Sequence, residues 1–190
     1  MSAYGADLRR WKDRAYRPRG SERVPVSLGF IDVLRLLWRH PALWATGFYR
    51  MGRWCSVHHV RVLPPLFERL NLLWFGLEIG SGVPIGPGLY IAHPAGTVIF
   101  AKSIGANASF IHAVTVGMVE TQHFPVIGDA VFVGAGARIL GPIRVGNGSR
   151  VGAGAVVMDS VPDGATVVGV PAHVVRKNNG ETAPGRLEVL

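Results

Sequence analysis

The residues best able to do chemistry in this 190-residue sequence are histidines, seven in all, at 40, 58, 59, 93, 112, 123 and 173. An imidazole with a pKa near 6.5 accepts a proton close to neutrality, which suits it as a general base toward a hydroxyl. Spacing separates the seven. His93 is the third residue of a six-residue unit that starts at Ile91, and His112 is the third residue of the unit that starts at Phe110. Three units make one coil of a triangular β-helix, so the two rings are expected on one corner of adjacent coils, about 4.8 Å apart in strand spacing. His123 lies in the irregular stretch MVETQHFPV and is the third candidate. His40, His58, His59 and His173 read as structural or solvated.

The elements that must hold this pair follow from the repeat. Aliphatic residues recur every six positions as Ile79, Ile85 and Ile91, then after a one-residue slip as Val98, Ile104, Phe110 and Val116, and again as Ile127, Val133, Ile139, Val145, Val151 and Val157. The fifth position of most units is small or β-branched, as at Val83, Ala108, Val131, Ala137 and Ala155. A six-residue period is the mark of a β-helix, with short strands joined by tight turns and the first residue of each unit stacked inside. Between positions 79 and 162 only seven residues are charged, so much of that surface is expected to be covered by neighbouring subunits.

Composition agrees with a division into two parts. Of 25 glycines, 18 fall between 76 and 169, while the formal net charge of +8 belongs wholly to residues 1–76. Residues 1–26 read as a basic, irregular arm. Residues 27–76 read as helical, with Phe30, Val33, Leu34, Leu37 and Trp38 at helical spacing, a second helix over 42–57, and a third opening at Pro64 and Pro65. These apolar stripes are expected to pack against other helices. Arg35, Arg39, Arg50, Arg53, Arg61 and Arg69, set among Trp38, Trp44, Trp54 and Trp74, would suit an anionic membrane surface or an acidic partner. Confinement of the charge to this segment argues against nucleic acid as a partner. One cysteine, Cys55, cannot form an internal disulfide, and no apolar run reaches the ~18 residues of a membrane span. The N-terminal residues lack a signal-peptide core, so a cytoplasmic protein is expected, with peripheral contact at the inner membrane face.

The strings GLYIAHPAGTVI, HAVTVG and VIGDAVFVGAGARILGPIRVGNGSRVGAGAVVMDSVPDGATVVGVPAHVV resemble the hexapeptide-repeat acyltransferases, in particular the serine acetyltransferase branch and its relatives in polysaccharide biosynthesis. The resemblance spans residues 76–177. It implies a mainly β fold, a left-handed parallel β-helix over 77–171 with a short N-terminal α-helical segment and a C-terminal tail over 172–190. It implies an acetyl-CoA-dependent O-acetyltransferase in which the acceptor hydroxyl attacks directly, so that no enzyme nucleophile and no metal are required.

The same resemblance assigns candidate residues. His93, His112 and His123 are the candidate bases. Family members carry a His-Pro pair at the end of the loop that here holds His123, and its histidine is implied as the base, but Phe124 separates His123 from Pro125. The family's Asp-His pair reads Ala92-His93, which removes the carboxylate implied to engage the serine amino group and opens the acceptor to a sugar hydroxyl. His112 stands where a glutamine is common. Gly134, Ala135, Gly152, Ala153, Gly154 and Ala155 are the candidate slot for the pantetheine arm of coenzyme A, in a groove between two β-helices of a homotrimer. Val170 and Pro171 would cover it, and Arg176 and Lys177 would meet phosphate. The short helical segment implies a trimer in place of the hexamer of longer relatives. Two other readings remain: a γ-carbonic-anhydrase-like metal site, for which the chain lacks the expected close histidine pair, and a non-catalytic scaffold.

Overall fold

The computed structural model of the chain describes residues 2–16, 28–119 and 123–176. Four helices, α1 (Ala3–Tyr16), α2 (Phe30–Arg39), α3 (Pro41–Val57) and α4 (Leu63–Phe75), precede a series of short strands. Pro41 and the Pro64-Pro65 pair sit in the first turns of α3 and α4, where a missing N–H costs no hydrogen bond, and Gly76 ends α4 with φ +62°.

The strands close a left-handed parallel β-helix with three faces. The first face stacks β1 (Leu77–Ile79), β3 (Thr97–Ile99), β6 (Thr115–Gly117), β9 (Arg138–Leu140) and β12 (Val156–Val157). The second stacks β4 (Ser103–Ile104), β7 (Val126–Ile127) and β10 (Arg144–Val145), extended by bridges from Ile85 and Val161. The third stacks β2 (Tyr90–Ile91), β5 (Ser109–Phe110), β8 (Phe132–Val133), β11 (Arg150–Val151) and β13 (Thr166–Val168). One aliphatic or aromatic residue per strand points inward. Ile79, Ile99, Val116, Ile139 and Val157 line the first face, Ile85, Ile104, Ile127, Val145 and Val161 the second, and Ile91, Phe110, Val133, Val151 and Val167 the third, all buried.

Three expectations change. Ile99, not Val98, is the inward residue after the slip, because the turn after Ile91 takes one more residue and a one-residue shift in a strand reverses which side chain faces the core. The inward series also runs past Val157 to Val161 and Val167. The C-terminal residues taken as tail begin with β14 (His173–Arg176), which adds antiparallel to β13.

Residues 1–26 do not begin as an irregular arm: Ala3–Tyr16 is helical, with Leu8 and Trp11 buried against Leu36, Ala42 and Leu43. Residues 17–26 lie outside the described residues. Polar side chains fix α1 to the β-helix. The Asp7 carboxylate, fully buried, takes Arg50 Nε at 2.8 Å and the Leu89 N–H at 2.7 Å. Arg50 also donates to the carbonyls of Ile85 and Gly86. Arg10 donates to the carbonyls of Gly88 and Ala108 and to Ser109 Oγ. Burial, followed by repulsion from Arg14, brings the Arg10 guanidinium down to about 10. Arg50 and Arg53, counted above as cations for an anionic surface, are spent inside the protein, since Arg53 donates to the carbonyls of Ser81 and Gly82.

Candidate functional site

The parallel register that pairs Ile91 with Phe110 carries straight into the following corner, where the chain turns from the third face to the first. The Ala92 N–H donates to Phe110 O and the His93 N–H to Ile111 O, so His93 sits one coil from His112. Their ring centroids are 6.2 Å apart in an edge-to-face arrangement, and both side chains are exposed. Two imidazoles thus stand side by side on an open corner, neither locked in the core.

The same corner continues along the axis of the β-helix. The Ala113 N–H donates to Ala95 O, the Gly136 N–H to His112 O, the Gly154 N–H to Ala135 O, and the Ala172 N–H to Val156 O. Left-handed backbone recurs at this step in Gly96, Ala113, Gly136, Gly154 and Gly169. His93, His112, Ala135, Ala153 and Gly154 therefore belong to one edge of the prism, in that order, and the last turn, which carries Val170 and Pro171, bonds to Val156 at the start of the first face. The histidine pair and the small residues, far apart in the sequence, meet on this edge. The glycines at positions 96, 136 and 154, each closing the turn out of the third face, were the signal that joins them.

The slot residues differ from one another. Gly134 is buried, and a Cβ there would lie 2.6 Å from the Ala153 nitrogen of the next coil. A Cβ on Gly152 would meet Val168 Cγ1 at 2.7 Å, and Ala155 is buried among the stacked core residues. These three serve the approach of coil to coil. Ala153 and Gly154 are exposed, and nothing lies within 4 Å of a Cβ built on Gly154. An extended ligand would meet main chain here, along Ala135, Ala153 and Gly154.

Two candidates stand away from this edge. His123 is exposed on the turn from the first face to the second, where the Lys102 N–H donates to Pro125 O and Phe124 lies 6.4 Å from Phe100. It is on a different corner from His93 and His112, and one chain does not bring the three together. Arg176 lies opposite Thr166, at the entry to β13, whereas Val170 follows the exit of that strand. The cation and the cover thus sit at opposite edges of the third face. Lys177 lies outside the described residues. The remaining histidines have local roles: His40 packs on Trp11 at 4.9 Å, His58 stacks on Trp54 at 4.2 Å, His59 takes a positive φ in the turn after α3, and His173 opens β14. Among the described residues no three His, Cys, Asp or Glu side chains are grouped so as to hold a metal ion.

Comparison with known proteins places this geometry. Residues 124–158 match the family model for the bacterial transferase hexapeptide (six repeats). The chain is 35% identical over 156 residues to the serine acetyltransferase of Mycobacterium tuberculosis, covering 80% of this chain and 67% of that protein. It is 36% identical to the serine acetyltransferase of Bacillus subtilis, covering 83% of this chain and 73% of that one. Among solved structures, the serine acetyltransferase of Neisseria gonorrhoeae superposes with a TM-score of 0.78 at 32% identity, covering 96% of this chain and 67% of that chain. A serine acetyltransferase in complex with CoA superposes with a TM-score of 0.77 at 28% identity, covering 91% of this chain and 68% of that chain. Inward stacking in threes, the shared corner and these identities over most of both chains agree, and the protein belongs to the serine acetyltransferase family of hexapeptide-repeat acyltransferases.

Proposed function

We propose that the protein, an acyltransferase with acetyl-CoA as co-substrate, transfers acetyl to an acceptor hydroxyl that attacks the thioester directly, with the His93–His112 pair supplying the general base. The observation that carries this reading is the common edge. From His112 the corner passes Ala135 and Ala153 on successive coils, roughly 4.8 Å per step, with the turn from Gly169 to Ala172 beyond them against Val156. An extended pantetheine arm laid along it brings the thioester to the two imidazoles and leaves the nucleotide near the last coil. The exposed main chain at Ala153 and Gly154 borders that path. The base takes the hydroxyl proton as the oxygen bonds to the acyl carbon. The carbon–sulfur bond then breaks, and the proton goes to the leaving thiolate.

His123 enters through a neighbouring copy. Since it occupies another corner of the same prism, a homotrimer is the arrangement in which one subunit's His123 faces the next subunit's His93 and His112. The groove between subunits then becomes the carrier slot. The acceptor is serine on family grounds. A sugar hydroxyl is the second reading, favoured by Ala92: a methyl group beside His93 offers no ion pair to an ammonium.

The test is thiol release from acetyl-CoA across serine, other hydroxy-amino acids and nucleotide sugars, with native protein and with alanine at His93, His112 and His123. Turnover on any of these acceptors that collapses in the His93 or His112 variant supports the reading. Absence of turnover on every acceptor, with coenzyme A binding and stability unchanged in the variants, overturns it in favour of a scaffold.

A further inference from the structure

Of the α2 stripe expected to pack inside, Val33 and Leu37 do so, whereas Phe30, Leu34 and Trp38 face out. Leu36 is buried and Val33 and Leu37 pack beside it, while Phe30 is 78% exposed, Trp38 90% exposed, and Ile31 and Leu34 more than half exposed. At 100° per residue, Phe30, Ile31, Leu34 and Trp38 fall within roughly 100° of arc, a continuous apolar strip on the side away from α1 and α3. Arg35 and Arg39 border it. Among the described residues neither guanidinium makes a hydrogen bond or close ion pair. Lys12, Arg35, Arg39 and Asp32 line an adjoining recess of about 300 Å³. Asp32, the acid of α2, is already engaged by Lys12 at 2.6 Å and by the Gly29 N–H at 3.1 Å, and these contacts hold its carboxyl below the usual range.

We propose that α2 is an interfacial helix that docks the protein on a bilayer containing anionic phospholipid, with Phe30, Ile31, Leu34 and Trp38 in the headgroup–acyl boundary and Arg35 and Arg39 on lipid phosphates at the mouth of the recess. Aromatic and aliphatic residues on one strip with arginine on its flank are the arrangement that favours a helix lying in that plane. Charge selects lipid over a second copy of this chain. Two α2 strips meeting about a two-fold axis would crowd four arginines together, with both Asp32 carboxylates already occupied. Anionic headgroups neutralise the same arginines, and they attract residues 1–76, which carry the whole net charge of +8. No helix among the described residues is long and apolar enough to cross a membrane, so the contact is peripheral. The inference does not rest on acetyl transfer.

The test is co-sedimentation of the full chain with large vesicles of phosphatidylcholine, with and without about one-third phosphatidylglycerol, at low and high salt. Native protein is expected to pellet with the anionic vesicles at low salt and to be released by high salt. The Arg35→Gln/Arg39→Gln variant should bind them about thirty-fold more weakly. Leu34→Gln/Trp38→Gln, at exposed positions, should keep the native melting temperature and lose binding. Quenching of native tryptophan fluorescence by brominated lipid gives a second readout that needs no variant. Absence of binding to anionic vesicles, equal binding to neutral ones, or binding untouched by both variants overturns the proposal. So does a concentration-dependent self-association that the Leu34→Gln/Trp38→Gln variant abolishes without any lipid binding. Thiol release from acetyl-CoA is measured on the same samples, so failure of the membrane contact and failure of the catalytic reading separate.

Discussion

The buried carboxylate of Asp7 on α1 is held by Arg50 on α3, through Nε at 2.8 Å and Nη2 at 3.1 Å, while the remaining donors of Arg50 reach the β-helix backbone at Ile85 and Gly86. This one pair joins two helices to the second face of the prism. Burial drives the Asp7 carboxyl upward, and hydrogen bonds and charge from Arg50 oppose that shift.

Breaking the pair from one side leaves the other charge buried. Arg50→Met and Asp7→Asn are each expected to lose about 3–5 kcal/mol in denaturant unfolding. The double substitution Asp7→Leu/Arg50→Met should cost less than the two single losses added together, because neither partner is then stranded. A double variant that loses the full sum would show that the backbone hydrogen bonds of Arg50, not the ion pair, carry the stability.

In the catalytic reading, alanine at His93 or His112 is expected to lower kcat, by about 10²–10⁴-fold for the residue acting as base. Both rings are exposed, so melting temperatures should stay within a degree or two of native. His123→Ala should lower the rate in the trimer. Mixing inactive His93→Ala and His123→Ala protein under subunit exchange should restore part of the activity, if the site is built from two copies. Steady-state kinetics of the mixed trimers checks this.

The small residues of the common edge should separate by role. Gly134→Ala places a Cβ against the Ala153 nitrogen and is expected to lower the melting temperature by several degrees. Ala153→Leu, at an exposed position, should leave melting unchanged and raise the KM for acetyl-CoA about ten-fold or more. A native KM in the Ala153→Leu variant would move the carrier away from this edge.

His40 packs on Trp11 between α2 and α3, and burial, with repulsion from Arg39, holds its imidazole below the ordinary 6.5. The unfolded chain therefore binds the proton first as pH falls. Stability from this group is fully present above about 6.5 and is lost as pH drops through the lower folded value. Thermal melts between pH 7.5 and 5.5 should show that decline in the native protein and a flatter profile in His40→Phe.

Period alone made the β-helix legible, because an inward residue at every sixth position leaves one way to bury the whole series. It also placed His93 against His112, since both occupy the third position of units one coil apart. Outside the repeat, local pattern was weaker. Phe30, Leu34 and Trp38 have helical spacing whichever way the helix turns, and only packing of Leu36 on Leu8 and Trp11 decided that the other strip faces outward. The helix from Ala3 to Tyr16 was hidden because Asp7 and Arg10 bond to groups more than thirty residues away. Nothing in their neighbourhood announces such partners. Strictly local repetition is enough to read the coil, most of its core and the histidine pair, but not the longer turn after Ile91 that makes Ile99 the inward residue. Only the three-dimensional fold shows that the pair shares an edge with Ala135 and Ala153, that His123 does not, and which apolar face remains open, because each depends on how corners and helices meet in space.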